Sequence, residues 1–161
     1  MSVGEAAPFK LTVLVQHEDF SVQTQTDNLR AIGNNTGAVV TFSGLVRELH
    51  DGNLVEALYL EHYPGMTEKS LAAIAQDAAE RWPLQGITII HRIGELLAGD
   101  QIVFVGVSSA HRKAAFAACE FIMDFLKTRA PFWKKCREAN SEYWVEAKQS
   151  DDQAAERWKQ P

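Results

Sequence analysis

The sequence has few of the residues from which disulfide frameworks and membrane spans are built. Its two cysteines, Cys119 and Cys136, are too far apart for a CxxC motif and fall within apolar helix and strand patterns, so we expect both to be reduced and structural. No apolar run approaches the ~20 residues of a membrane-spanning helix, and the first residues lack the pattern of a secretory signal. These absences together predict a soluble cytoplasmic protein.

The motifs by which proteins hold nucleotides and metals are also missing. Neither GxGxxG nor GxxxxGK[ST] occurs, which disfavours nucleotide-dependent chemistry. The five histidines show neither HxxxH nor HExxH spacing, and no cysteine pair joins them. We therefore predict no protein-bound metal and no resident cofactor.

Charge is unevenly distributed along the chain. The formal net charge of -5 argues against a general nucleic-acid binder. Residues 111–137 nevertheless contain seven Lys/Arg against Glu120 and Asp124, a local balance of +5 that leaves -10 for the rest. A basic segment on an acidic protein predicts a localised site for an anionic ligand. The alternative is a solvated helix face followed by a charged strand.

Hydrophobic periodicity and turn residues predict short strands and helices within one domain that spans residues 1–161. Strands are predicted over residues 10–16, 36–47, 54–63, 86–93, 101–108, 132–138 and 142–147. Helices are predicted over 22–32, over 67–82 with Thr67 as the N-cap, from Ser108 or Ser109 to Pro131, and in a short segment ending at Trp158. The strand over 54–63 is expected to pair with that over 36–47 across a turn at residues 51–53.

The order of these elements indicates the fold class. The order β-α-β-β-α-β-β-α-β-β lacks the regular strand–helix alternation of a parallel doubly wound sheet. We therefore expect an α+β fold, with a mostly antiparallel sheet and packed helices. Arg47 is expected where the second predicted strand runs into a polar loop.

One candidate anion site lies at the start of the longest predicted helix, in the segment Ser108-Ser109-Ala110-His111-Arg112. Free backbone N–H groups and the helix dipole favour an anion there, and His111 and Arg112 add donors that bind phosphate. The pattern predicts a phosphate or carboxylate pocket. An ordinary capped surface helix explains the same residues without a ligand.

Two lysines flank the proline at the other end of that helix. Lys127 falls in the last predicted turn and Lys134 seven residues later in the next strand, so a turn at Pro131 can bring them together. Two close ammonium groups disfavour double protonation, which allows one of them to act as base or nucleophile. Alternatively, Lys127 only complements the helix dipole and Lys134 faces solvent beside Lys135.

Five segments together resemble one enzyme family, in order and spacing. They are GAVVTFSGLVR, LYLEHYPGMTEK, WPLQGITIIHRIGELLAGD, FVGVSSAHRKAAFAACEFIMDFLKTRAPFWKK and WVEA. Between about residues 37 and 158 the chain is similar to the catalytic large subunit of molybdopterin synthase. The resemblance implies a hammerhead-like α+β fold and a homodimer within a heterotetramer, with a small ubiquitin-like sulfur-carrier subunit at each end.

The resemblance also implies a reaction. The carrier's C-terminal Gly-Gly thiocarboxylate would donate sulfur to cyclic pyranopterin monophosphate and form the dithiolene of molybdopterin, so the chain would be a sulfurtransferase. Lys127 matches the family's catalytic lysine and Lys134 the supporting one. Substrate-binding positions of the family match Arg47, His111, Arg112 and Lys148, the last where the family can carry arginine.

Two other functions fit the same residues. A phosphate-binding or scaffolding module would keep the anion pocket and the carrier-docking surface without catalysis, although the presence of both lysines speaks against it. A different sulfur- or acyl-transfer enzyme could act on a carrier's C-terminus, and identification of the product would separate it from the first interpretation.

Overall fold

The structure is a computed structural model that describes residues 8–139, 141–145 and 149–159. Its strands are β1 (Lys10–Gln16), β2 (Ala38–Leu45), β3 (Leu49–His50), β4 (Asn53–Leu54), β5 (Ala57–His62), β6 (Gly86–Arg92), β7 (Gly94–Leu97), β8 (Gln101–Ser109), β9 (Phe132–Glu138) and β10 (Ser141–Val145). Its helices are α1 (Val22–Arg30), α2 (Met66–Arg81), α3 (Arg112–Arg129) and α4 (Gln149–Glu156), followed by a 3-10 turn at Arg157–Lys159. None of the helices in the described ranges is long and apolar enough to cross a membrane.

The first sheet has the strand order β1-β6-β8-β2 and separates the helices into two layers. β8 pairs antiparallel with both β6 and β2, whereas β1 and β6 are parallel. Helices α2 and α3 cover one face, where the largest core cluster includes Val105 and Phe121. Helix α1 covers the other face through Leu29, which packs with Ile90 and Phe104. The expected α+β fold with mostly antiparallel pairing is confirmed.

The second sheet has the order β10-β9-β5-β7, with antiparallel neighbours throughout. Leu58, Leu60, Leu96 and Cys136 form a smaller core on its inner face. Alternation along β5 and β9 turns the side chains between these residues to the outer face of the sheet. The predicted hairpin of the last two strands is confirmed as β9 and β10, while residues 146 and 147 of the predicted second strand lie outside the described residues.

The predicted pairing of residues 54–63 with residues 36–47 is wrong. β5 pairs with β7 and β9 in the second sheet, whereas β2 pairs with β8 in the first. Between them β3 and β4 form a hairpin of their own, whose turn residues Asp51 and Gly52 have φ angles of 49° and 83°. Two positive φ angles match the twist of a tight hairpin, so the chain turns back locally and enters the other sheet.

The chain also changes sheets at Gly94, in a place where periodicity predicted no separate strand. Gly94 has a φ of 85°, and a Cβ at this position would lie 2.7 Å from Nδ1 of His17. Only glycine adopts this conformation without strain and leaves room for the imidazole. The bend after β6 therefore directs β7 to pair with β5 before the chain returns to β8.

The C-terminal segment is attached to α3 by ionic and hydrogen bonds to Asp124 and Glu120. The Trp158 indole N–H donates to the Asp124 carboxylate (2.6 Å), and Arg157 donates to the same carboxylate (3.0 Å). The Trp158 ring packs edge-on against Trp82 and Phe121, with centroids 5.6 and 5.5 Å away. The predicted short helical segment ending at Trp158 is confirmed as α4 and the 3-10 turn, and Trp158 packs against the main core.

Helix α2 begins at Met66, so the prediction that Thr67 is its N-cap is wrong. Gly65 is the N-cap, and Thr67 lies fully buried inside the first turn. The Thr67 hydroxyl accepts a hydrogen bond from the Tyr63 N–H (3.0 Å) and donates one to the Pro131 carbonyl (3.0 Å). A single hydroxyl therefore ties the start of α2 to the turn that follows α3.

Thr67→Val should destabilise the protein, because valine keeps the shape but leaves the Tyr63 N–H and the Pro131 carbonyl without this hydroxyl. Each buried polar group left unsatisfied costs roughly 1–3 kcal/mol. Urea denaturation should show a loss of that order in the free energy of unfolding. Thr67→Ser keeps the hydroxyl and is the matched control, and equal stability of the valine variant and the parent protein would contradict the prediction.

Candidate active site

The strand directions of the first sheet determine where α3 starts and ends. β8 runs antiparallel to β6 and leads into α3, which packs back over β8 and β2. In this sheet we call "edges" the two sides that the strand ends form, one where β6 begins and one where β6 ends. The start of α3 therefore lies at the first edge, and its C-terminus lies at the second. This second edge carries Lys127 in the last turn of α3, His91 near the end of β6, and Arg47 just after β2.

A sharp turn connects the helix that carries Lys127 to the strand that carries Lys134. Ala130 has an extended backbone (φ -79°, ψ 128°), as expected before a proline, and the Phe132 N–H donates to the Ala130 carbonyl (2.9 Å). The prediction that Pro131 ends the helix is confirmed. The turn leads at once into β9, so that both lysines lie close to it.

Lys134 and its neighbour Lys135 lie on opposite faces of the second sheet. Lys134 shares the inner face with Phe132 and the buried Cys136, because alternate residues of a strand point the same way. Lys135 lies on the outer face, where its ammonium group is 5.4 Å from the centroid of the Trp144 ring. Of the two, only Lys134 is therefore directed towards the edge that carries Lys127.

His91 is a buried histidine at the same edge of the first sheet as Lys127. Its side chain is 6% exposed, and its ring stacks on Phe132 with centroids 3.8 Å apart. Burial is the main cause that lowers the pKa of His91 to about 4, against the opposing effect of its hydrogen bond to the Arg92 carbonyl. The positive charges of Lys127 and Lys134 lower that pKa further.

Spacing along the sequence does not single out His91, because it is one of five histidines without metal-ligand spacing. Its place at the end of the apolar run in β6 was the available signal, since a histidine that continues a buried strand has to be accommodated in the core. Among the residues that the structure describes, no group of three or more His, Cys, Asp and Glu side chains could hold a metal ion.

Arg47 lies where the sequence predicted it, in the loop that follows β2. The residue before it is fixed by two hydrogen bonds to the turn between β7 and β8. The Val46 N–H donates to the Asp100 carbonyl (2.9 Å), and the Gly99 N–H donates to the Val46 carbonyl (2.8 Å). The exposed guanidinium of Arg47 therefore extends from an anchored backbone.

His111 and Arg112 lie at the opposite end of α3. His111 is the N-cap, no side chain caps the first turn, and both residues are exposed. The prediction that Ser108 or Ser109 caps the helix is wrong, because Ser108 is buried within β8 and Ser109 donates to the Pro83 carbonyl (2.8 Å). The first-turn N–H groups are left to face outwards, as an anion site requires.

The structure thus divides the predicted site residues into two groups. Lys127, Lys134 and Arg47 lie at one edge of the first sheet, whereas Arg112 lies about 22 Å from Lys127 along the helix, from 15 residues at 1.5 Å each. Lys148 lies outside the described residues. One copy of the chain therefore does not bring the two groups together.

The fold and these positions can be compared with known proteins. A family model described as "MoaE protein" matches residues 15–129. The chain belongs to the MoaE protein family. A Vibrio cholerae protein named molybdopterin synthase catalytic subunit is 62% identical over 146 residues, which cover 91% of this chain and 97% of that protein. An Escherichia coli protein of the same name is 58% identical over the same shares of the two chains.

Solved structures agree with the family assignment. The MoaE protein from Burkholderia ambifaria superposes with a TM-score of 0.81 at 47% identity and covers 94% of this chain and 99% of its own. A molybdopterin synthase structure from Staphylococcus aureus has a TM-score of 0.77 at 36% identity and covers 83% of this chain and 96% of its own. The family and the fold are therefore shown over most of the chain.

Neither cysteine of this MoaE-family chain is set up as a nucleophile. Cys119 is buried in α3, and burial, with a smaller contribution from Glu120, raises its pKa to about 12. Cys136 is buried in the core of the second sheet. Because a buried side chain is shielded from reactants, both positions agree with the expectation of structural cysteines.

Cys119 should therefore be nearly inert towards thiol reagents in the folded protein. At about pH 8 its thiolate fraction falls by a factor on the order of 1,000 relative to an ordinary thiol, and burial also blocks access. Labelling with iodoacetamide, followed by peptide mass spectrometry, should show modification at least ~100-fold slower in the native than in the urea-unfolded protein. Similar rates in both states would show that Cys119 is accessible and reactive.

Proposed function

We propose that this chain is the catalytic subunit of a molybdopterin synthase. In this proposal it transfers sulfur from the C-terminal thiocarboxylate of a small ubiquitin-like carrier subunit to cyclic pyranopterin monophosphate. The observation that carries the proposal is the placement of Lys127 and Lys134 at the same edge of the first sheet as the buried His91, whose ring stacks on Phe132. The names of the relatives support it, and so does the resemblance of the five sequence segments.

The lysine pair suits this reaction because both proposed reactants are anions. The thiocarboxylate and the cyclic phosphate each carry negative charge, which Lys127, Lys134 and Arg47 can offset at one edge of the sheet. Lys127 would act as general base or transient nucleophile, and Lys134 would adjust its charge and stabilise oxyanions. The site would need no metal for these roles.

The direct test is reconstitution from defined components. Purified chain, thiocarboxylated carrier and cyclic pyranopterin monophosphate should together yield molybdopterin, identified by mass spectrometry of the product. The double variant Cys119→Ala, Cys136→Ala should keep most of this activity if it folds, since the sulfur arrives on the carrier. A phosphate-binding or scaffolding module would bind both reactants and form no product.

Substitution of Lys127 separates charge from proton transfer. Arginine keeps the positive charge but stays protonated at any working pH, so Lys127→Arg and Lys127→Ala should both lose at least ~100-fold in single-turnover rate, as is usual for an acid–base group. Lys134→Arg should be milder, because the task proposed for Lys134 is mainly electrostatic. The rate is measured with carrier and substrate both saturating, so that binding defects do not contribute.

Lys10→Ala is a matched control for the lysine variants, because Lys10 is exposed at the start of β1, at the other edge of the first sheet. It should leave the rate unchanged. A Lys127→Arg variant with the same single-turnover rate as the parent protein would show that Lys127 only neutralises negative charge.

Two copies of the chain would complete the proposed site. About 22 Å of helix separates Arg112 from Lys127, which is longer than a single pterin substrate. If one substrate contacts both groups, His111 and Arg112 must come from a second copy, as in the homodimer that the resemblance implies. The exposed, uncapped start of α3 is available to such a neighbour.

Mixing two variants that are each impaired at a substrate concentration well below saturation tests this arrangement. Arg112→Ala should weaken substrate binding about tenfold to a hundredfold through the lost charge-assisted hydrogen bonds. When it is mixed with Lys127→Ala, each mixed dimer regains one intact site, so random assortment should restore about a quarter of the parent activity. Activity no higher than that of the separate variants would place the whole site within one copy.

A further inference from the structure

His91 is a buried titratable side chain to which the proposed chemistry assigns no task. Its position in β6 is fixed by pairing with Val15 on one side and Val103 on the other, and its ring lies against Phe132. An apolar residue would fill this space at a lower desolvation cost than imidazole. A histidine here therefore suggests that its ring nitrogens are used.

The hydrogen bond to Arg92 determines which ring nitrogen carries the proton. Nδ1 of His91 lies 2.8 Å from the Arg92 carbonyl oxygen, and because a carbonyl only accepts, Nδ1 must be the donor. Nε2 then bears a lone pair on the other side of the ring. Since burial keeps the imidazole neutral, with a pKa of about 4, Nε2 remains an acceptor at neutral pH.

Lys127 lies at the same edge of the first sheet as this acceptor, because α3 ends where β6 ends. Among the described residues, those whose charge acts on His91 are Lys127, Lys134 and His62. His62 itself lies 3.6 Å from the Glu68 carboxylate, which offers it a partner of its own. Lys127 lies in the exposed last turn of α3 and has a long flexible side chain. Such a side chain samples many rotamers unless an acceptor holds its amine.

We propose that His91 is a positioning residue for sulfur transfer, whose neutral Nε2 accepts a hydrogen bond from Lys127 and holds that amine towards the carrier's thiocarboxylate. A neutral acceptor suits this task, because a carboxylate in its place would neutralise the ammonium and repel both anionic reactants. A protonated imidazole would add a third cation and could not accept. The inference rests on the proposed function for its catalytic consequence, but the hydrogen bond itself can be measured without any reaction.

The first experiment observes the acceptor directly in the parent protein. In ¹⁵N-histidine-labelled protein, long-range ¹H–¹⁵N spectra distinguish a protonated from an unprotonated ring nitrogen, and His91→Gln identifies the signals of His91 by their loss. We expect the Nδ1–H tautomer of a neutral ring between about pH 6 and 8. Lys127→Ala should shift the Nε2 resonance, whereas Lys10→Ala should not.

The second experiment measures single-turnover sulfur transfer with two substitutions of His91. His91→Phe keeps a ring against Phe132 but removes the acceptor, and should lower the rate about tenfold or more, since misplacement of a reacting group by ~1 Å is that costly. His91→Gln places a neutral amide near the position of Nε2 and should recover most of the loss. His17→Phe is the same substitution at an exposed histidine and should leave the rate unchanged.

Three results would overturn the inference. One is an Nε2 resonance that responds to Lys127→Ala no more than to Lys10→Ala, which also decides the matter if His91→Phe does not fold. Another is a folded His91→Phe variant as fast as the parent protein. The third is an equal loss in His91→Phe and His91→Gln, which would assign the effect to packing. If the parent protein itself forms no product, the proposed function fails, and the Nε2 resonance still decides the role of His91.

Discussion

Packing of α3 along β8 and β2 is the constraint on which the arrangement of functional groups depends. The helix buries Ala118, Ile122 and Leu126 in the core that it shares with the sheet, and this packing restrains the movement of its two ends. The apolar face that makes this contact carries no chemistry itself. It nevertheless fixes a cationic group at each edge of the first sheet and sets the distance between them.

At the edge that carries Lys127, the electrostatic problem is to keep positive charge concentrated without losing a defined geometry. Two ammonium groups repel each other, and a neighbouring carboxylate would hold them in place only by cancelling the charge that the proposed anionic reactants require. The buried imidazole of His91 offers polarity without charge. Its stacking on Phe132, together with the Thr67 hydroxyl on the Pro131 carbonyl, links two separate elements, β6 and α2, to the turn between the lysines.

Several of these features could be predicted from the sequence because they depend on neighbours along the chain. Pro131 ends α3 through its own ring and fixed φ, and the strands β1 and β9 have the predicted bounds because apolar alternation marks them. Strand partners were harder, since periodicity shows which face is buried but not which strand lies alongside, and β5 was assigned to the wrong sheet. The cap of α3 was missed because Ser109 bonds to a carbonyl 26 residues away. His91 was missed for the same reason, as its neighbours arrive from α3 and β9.

The bend at Gly94, which sends the chain from one sheet to the other and back, bears on how this protein is made. β1 cannot pair until β6 has been synthesised, roughly 76 residues later in the chain (Lys10 to Gly86). The pairing of β5 likewise requires both β7 and β9. Pairings this distant in sequence close late and slowly. During synthesis neither sheet is complete in the emerging N-terminal half, so strands such as β5 remain unpaired until most of the chain has left the ribosome. In that interval the unpaired strands would be most exposed to binding by a holdase chaperone.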